Sequence, residues 1–143
     1  MEQPLFAPQP AQATLFADSG SRGNPGPAAS GAVLVGPDGN VIAEMGEFLG
    51  IATNNVAEWT ALEIGLRAAL ERGFRRLAVR MDSELVVKQL SGEYRVKHPG
   101  LQPLYRRVRA LTGQFEALDV KHVRRKDNAL ADALVNQVLD AQR

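Results

Sequence analysis

Two apolar periodicities alternate along this chain, and their order predicts a mixed α/β fold. Short apolar runs at residues 13–18, 30–35, 41–49, 77–81 and 118–123 have the length of strands. Between the second and third, Gly36-Pro37-Asp38-Gly39-Asn40 is a hairpin signal, because Asp-Gly supplies the positive φ of a tight turn. Helical spacing takes over at residues 55–72, where Val56, Trp59, Leu62, Leu66, Ala69 and Leu70 share a face. Thr53 or Asn54 is the expected N-cap there and Gly73 the stop. Ser83 caps a short helix over residues 83–90 that Gly92 ends, a third helix over 101–115 aligns Leu104, Val108, Leu111 and Phe115, and a fourth covers 128–139. The order β-β-β-α-β-α-α-β-α implies three antiparallel strands followed by β-α-β crossovers, a five-stranded mixed sheet flanked by helices. Residues 19–27, rich in Gly, Pro and Ser, read as a loop, and residues 1–12, with three of the eight prolines and no period, as a flexible leader. Residues 13–143 are then a single domain.

Composition narrows the chemistry. With 45% hydrophobic and 23% charged residues and a formal charge of +1, a disordered tail, a fibre and a polybasic coat are excluded. That small total hides an asymmetry: residues 1–63 carry a net −6 and residues 67–126 a net +9, a hint of a polyanionic partner whose phosphates the second segment would meet. The absence of cysteine removes disulfides, thiolate nucleophiles and Cys-ligated metals, and two histidines, His98 and His122, are a poor supply for a His-rich site or a Ser-His-Asp triad. No apolar run approaches the roughly 20 residues that span a bilayer, and no basic stretch precedes an apolar one at the start, so a cytoplasmic protein without membrane contact is expected.

Four carboxylates stand out by position. Asp18 and Asp82 end strands, while Glu58 and Asp132 fall in the first turns of helices. In an open α/β sheet, sites assemble beyond the carboxyl ends of the strands, so the four could face one crevice. Singly, a first-turn acid is more ordinarily a helix-dipole partner or a solvated charge. Asp18 is less ordinary, because it closes Leu15-Phe16-Ala17 just before the glycine-rich segment. Gathered together such acids repel and need a cation, and hard Mg²⁺ or Mn²⁺ suits an all-oxygen set with a phosphate substrate. A nucleotide-binding P-loop is not indicated, since G-x-x-x-x-G-K-[ST] and G-x-G-x-x-G are both missing.

The local contexts are Asp18-Ser-Gly-Ser-Arg-Gly-Asn24-Pro-Gly-Pro27, Thr53-Asn54-Asn55-Val-Ala-Glu58, Met81-Asp82-Ser83, and Arg124-Arg125-Lys126-Asp127-Asn128-Ala-Leu-Ala-Asp132. In this order they resemble type 1 ribonuclease H, of the retroviral-integrase-like superfamily, across residues 13–140. The compact archaeal and bacterial branch is nearest, its last motif V-x-R-x-x-N-x-x-A-D-x-L-x-N matching Val123, Arg125, Asn128, Ala131, Asp132, Leu134 and Asn136. The resemblance implies a ribonuclease H-like fold and an endonuclease that hydrolyses the RNA strand of RNA/DNA hybrids with two Mg²⁺ ions, Mn²⁺ substituting, leaving 5′-phosphate and 3′-hydroxyl ends. It implies Asp18, Glu58, Asp82 and Asp132 as catalytic metal ligands and Asn24, Thr53, Asn54 and Asn55 as substrate contacts, with no small-molecule cofactor. A monomer is the default.

Departures from the family pattern matter too. The loop before the final aspartate lacks the histidine of the best-known members, and His122, inside the last strand, is not given that role. Arg125 is the expected substitute, with Arg124 and Lys126 behind it, and an arginine would orient or stabilise phosphate and not act as a base. Residues 92–103 are too short for the basic handle helix of some members, though Tyr94, Arg95 and Lys97 could replace part of its contact. Ser19 stands where glycine is common, and Glu84 where a polar amide is frequent. Two rival readings remain: a catalytically silent nucleic-acid-binding module of the same fold, and a related nuclease that also cuts double-stranded RNA.

Overall fold

The computed structural model describes residues 10–142. Strands β1 (Ala13–Ser21), β2 (Gly26–Val35), β3 (Val41–Ala52), β4 (Arg76–Met81) and β5 (Ala117–His122) form one sheet in the order β3-β2-β1-β4-β5. The first three pair antiparallel, and β4 runs parallel to both β1 and β5. Helices α1 (Asn54–Glu71), α2 (Glu84–Leu90), α3 (Gln102–Thr112) and α4 (Ala129–Asp140) complete the expected element order. Short 3₁₀ turns at Pro99–Leu101 and Arg125–Asn128 lead into α3 and α4. No helix is long and apolar enough to cross a membrane, among the described residues.

The main departure from the sequence reading lies at residues 19–27. Pairing of β1 with β2 continues to Ser21 opposite Ala28, which shrinks the expected loop to four residues. Gly and Ser have low intrinsic strand preference, and tertiary pairing overrides it. Of the expected leader, residues 1–9 lie outside the described residues. Gln12 is hydrogen-bonded: its Oε1 accepts from the backbone N–H groups of Arg75 and Arg76 at 2.7 and 3.1 Å, and its own N–H donates to the Arg76 carbonyl at 2.8 Å.

Two layers of helix cover the sheet. On one face Leu15, Ala17, Leu34, Val79 and Met81 meet Trp59, Leu62 and Leu66 of α1 and Val108 of α3 in the main core. Trp59 is fully buried, donates from Nε1 to Gln89 Oε1 at 3.3 Å, and meets the Tyr105 ring edge-on at 5.5 Å, tying α1 to α2 and α3. On the other face α4 packs alone, setting Ala131, Val135 and Leu139 against Ala29, Val33 and Val35. The interior strand β2 is therefore buried along nearly its whole length.

The approach of α4 depends on bare backbone. Gly31 pairs with both Asp18 and Gly46 on its neighbouring strands. A Cβ there would come within 2.9 Å of Val135 Cγ2 and 3.1 Å of the Ala131 carbonyl oxygen, so at Gly31 the helix sits directly on the strand backbone. This close seating carries the first turn of α4 to the strand that bears Asp18. Gly31→Ala is expected to destabilise the fold by about 1–3 kcal/mol through overpacking, read as a lower urea midpoint with an unchanged m-value. An unchanged midpoint would mean that α4 can move away without loss.

Candidate active site

Parallel register places Ala17 opposite Met81, so Asp18 and Asp82 follow the last paired residues of adjacent strands. This is the fork where β1 turns its other edge to antiparallel β2, the place where an α/β sheet opens a crevice. Glu58 reaches the fork from α1. Because that helix starts at Asn54, Glu58 lies in its second turn and not the first, as the sequence had suggested, and has no unbonded helix N–H groups to neutralise. Asp132 does occupy the first turn of α4.

Asp18, Glu58 and Asp82 each offer a carboxylate oxygen within 4.8 Å of the others. Asp18 is 4% and Glu58 9% exposed. Ser19 Oγ donates to Glu58 Oε1 at 2.7 Å, whereas Oε2 is buried without a hydrogen-bond partner. Asp132 lines the same cleft, of about 390 Å³, but stands outside the tight cluster and is held by Arg125 at 3.3 Å. Fully buried Asn128 connects the two sides: its Nδ2 donates to the carbonyl of Ala17, 111 residues away in sequence, at 3.0 Å.

Like charges at that spacing repel by on the order of 3 kcal/mol per pair at an effective dielectric of 20. Asp18 and Glu58 respond by holding their protons more tightly. Burial, then the Asp82 charge, push Asp18 up to about 8 against the opposing backbone N–H of Ser19, with Glu58 adding to the rise. Burial likewise pushes Glu58 up to about 7, opposed by the Ser19 hydroxyl and assisted by Asp82. The donor set is all hard oxygen, and the unpartnered Glu58 Oε2 adds a buried acceptor, so these residues fit a hard divalent cation.

A second groove, of about 530 Å³, adjoins the first and shares Asn54 and Asn55 with it. Asn24 and Thr53 also line it, and both serve the local fold: Asn24 Oδ1 accepts from the Asn54 N–H at 3.1 Å, and Thr53 Oγ1 caps α1 by accepting from the Val56 N–H at 3.2 Å. His98 lines this groove as well, which sequence reasoning missed. Its Nδ1 accepts from the Gly100 N–H at 3.0 Å, leaving Nε2 as the protonated nitrogen of the neutral ring. The signal was His-Pro-Gly before a helix, where a side chain capping the turn is held in place.

The basic segment is distributed differently from the sequence expectation. Of its arginines and lysines only Arg125 lines the carboxylate cleft. Arg72 and Arg75 donate to backbone carbonyls at the C-terminal end of α1, some 20 Å from Glu58 at 1.5 Å per residue. Arg67 and Arg107 share Glu63, Arg76 pairs with Glu116, and Arg80 with Asp119. Arg124 pairs with Asp127. Tyr94, Arg95 and Lys97 surround a separate hollow with Leu85 and Glu93. His122 Nε2 sits 3.3 Å from the Asp82 carbonyl oxygen, at the rim of the fork.

The chain matches the reverse transcriptase-like family over residues 16–138. It is 49% identical over 128 residues to the bifunctional protein Rv2228c of Mycobacterium tuberculosis, covering 89% of this chain and 35% of that protein. The chain thus spans about a third of the length of that relative. Its structure superposes with a TM-score of 0.86 on RNase H1 from Halobacterium salinarum, at 46% identity, covering 90% of this chain and 98% of that one. LC11-RNase H1, solved in complex with an RNA/DNA hybrid, matches at TM-score 0.85 and 37% identity over 91% of this chain and 98% of its own.

Raised carboxyl affinities make folding take up protons from the ordinary carboxylate range up to about pH 8, so the metal-free protein loses stability as pH rises through that window. In EDTA the melting temperature is expected to fall between about pH 5 and 8. Asp18→Asn should flatten the fall and raise the value at about pH 8 by on the order of 5 °C. Parallel profiles for the two proteins would show that Asp18 is not desolvated.

Proposed function

Because this chain belongs to the type 1 ribonuclease H family, we propose that it hydrolyses the RNA strand of RNA/DNA hybrids, leaving 5′-phosphate and 3′-hydroxyl ends. The observation that carries this is the convergence of Asp18, Glu58 and Asp82 at the strand fork, beside a groove that presents three asparagine amides.

Asp18, Glu58 and Asp82 would hold the metal, with Asp132 across the cleft as the ligand of a second ion, Mg²⁺ or Mn²⁺. Bound there, the ions neutralise charge on the scissile phosphate and lower the pKa of the attacking water. The chain's own groups supply alignment. Sheet and helices fix the backbones that carry the carboxylates, so the main rearrangement when the phosphodiester enters is the release of Arg125 from Asp132. The amides of Asn24, Asn54 and Asn55 and the Thr53 hydroxyl offer donors and acceptors along the adjoining groove. A 2′-hydroxyl, itself donor and acceptor, is what such a lining can sense. Arg125, 78% exposed, can reach a phosphate oxygen once released from Asp132, and orients without taking up a proton. With Arg125 alone among the bases lining the cleft, hybrid affinity is modest, and it falls steeply as salt rises. A monomeric, cytoplasmic enzyme without small-molecule cofactor completes the proposal.

The decisive experiment is a panel of labelled RNA/DNA, RNA/RNA and DNA/DNA duplexes with Mg²⁺, Mn²⁺ or EDTA. Cleavage of the hybrid alone, only with metal, is expected. Asp18→Asn and Asp82→Asn should each lower the rate by roughly 10³-fold, the equivalent of several kcal/mol of lost charge stabilisation. Hybrid binding without cleavage under either metal would favour the silent module, and equal cleavage of RNA/RNA the broader nuclease.

A further inference from the structure

Ser19 stands where the family resemblance has a glycine, and its side chain is engaged at the centre of the site. It pairs across the ladder with Ser30. The two hydroxyls reach the same turn of α1: Ser30 Oγ donates to the Ala57 carbonyl at 2.7 Å, fully buried, and Ser19 Oγ donates to Glu58 Oε1 at 2.7 Å. One serine thus holds the helix backbone and the other the carboxylate that follows it. Glu58 has a long side chain with several rotatable bonds, and its second oxygen, Oε2, is buried with no partner.

We infer that Ser19 is a positioning residue that ties off Oε1 of Glu58 and thereby presents Oε2 as the oxygen that receives the metal. The inference rests on the reading of Glu58 as a metal ligand. A glycine at position 19 would leave the carboxylate free to rotate, and its ordering would then be charged against metal binding and not against folding. The Ser30 contact persists in either case, so the effect of Ser19 is local to the carboxylate.

Divalent-ion binding without substrate is the direct measurement, by calorimetric titration of the whole chain with Mn²⁺ and with Mg²⁺. Ser19→Ala should weaken binding by about 3- to 10-fold, the net effect of losing one typical hydrogen bond. Ser19→Thr, which keeps the hydroxyl, should bind within about twofold of the parent. On the hybrid, Ser19→Ala should show a higher metal requirement with an unchanged KM, and excess metal should restore kcat. Unchanged ion affinity in Ser19→Ala would overturn the inference, as would equal losses in Ser19→Ala and Ser19→Thr. Glu58→Gln separates the two levels of the argument: if it binds ions as the parent does, the metal-ligand reading of Glu58 fails, whereas if it loses them and Ser19→Ala does not, only the role of Ser19 fails.

Discussion

Mutual repulsion among buried carboxylates is the constraint around which this molecule is organised. Acids within 4.8 Å of one another, two of them nearly sealed from water, oppose folding unless protons or a cation compensate. The surrounding scaffold has to be rigid enough to hold them regardless. It achieves this by converging independent elements on one fork: β1 and β4 bring Asp18 and Asp82, α1 brings Glu58 from one face, and α4 brings Asp132 from the other. Each approach is made close by missing side chains. Gly65 of α1 lies against Leu15, where a Cβ would meet its Cδ1 at 2.5 Å, and Gly31 does the same beneath α4. Small residues in the sheet and helix are therefore part of the electrostatic design, since they set how near the charges stand.

Much of this was legible in the residues. The periodicities gave every strand and helix in order, Thr53, one of two candidate caps for α1, and Ser83 do cap their helices, and the four acids do line one cleft. What could not be read was whatever depends on distance. Gly20 and Ser21 resemble loop until β2 pairs with them. Glu58 resembles a helix-dipole partner until the helix start is known, and Asp132 resembles an equal member of the acid set until it is seen outside the tight cluster and paired with Arg125. His98 carried no signal beyond its turn, because the groove that it lines is assembled from segments some 45 to 75 residues away.

Charge was the least legible property. A run of bases in sequence suggested a surface for phosphates, yet most of its arginines bind helix-end carbonyls or pair with acids outside the carboxylate cleft. Arginine's five donors and apolar stem make it as useful for binding carbonyls as for meeting anions. A count of bases weighs both uses equally. The neutral amide groove beside the cleft, invisible to any charge sum, is the more informative feature.

The bond from Asn128 to Ala17 has a further implication for how the molecule comes into being. Its partners are separated by 111 residues, so a chain emerging from the ribosome exposes β1, and then the acid triad, well before the segment that clamps them has been made. Contacts of such long sequence separation form late. Until α4 docks, Gly31 and its neighbours present a bare, untenanted strip of sheet, and Asp132 and Arg125 are absent from the fork. The cleft can therefore be complete only once α4 has been made, because that helix and the turn before it bring Asp132, Arg125 and the Asn128 clamp to the fork.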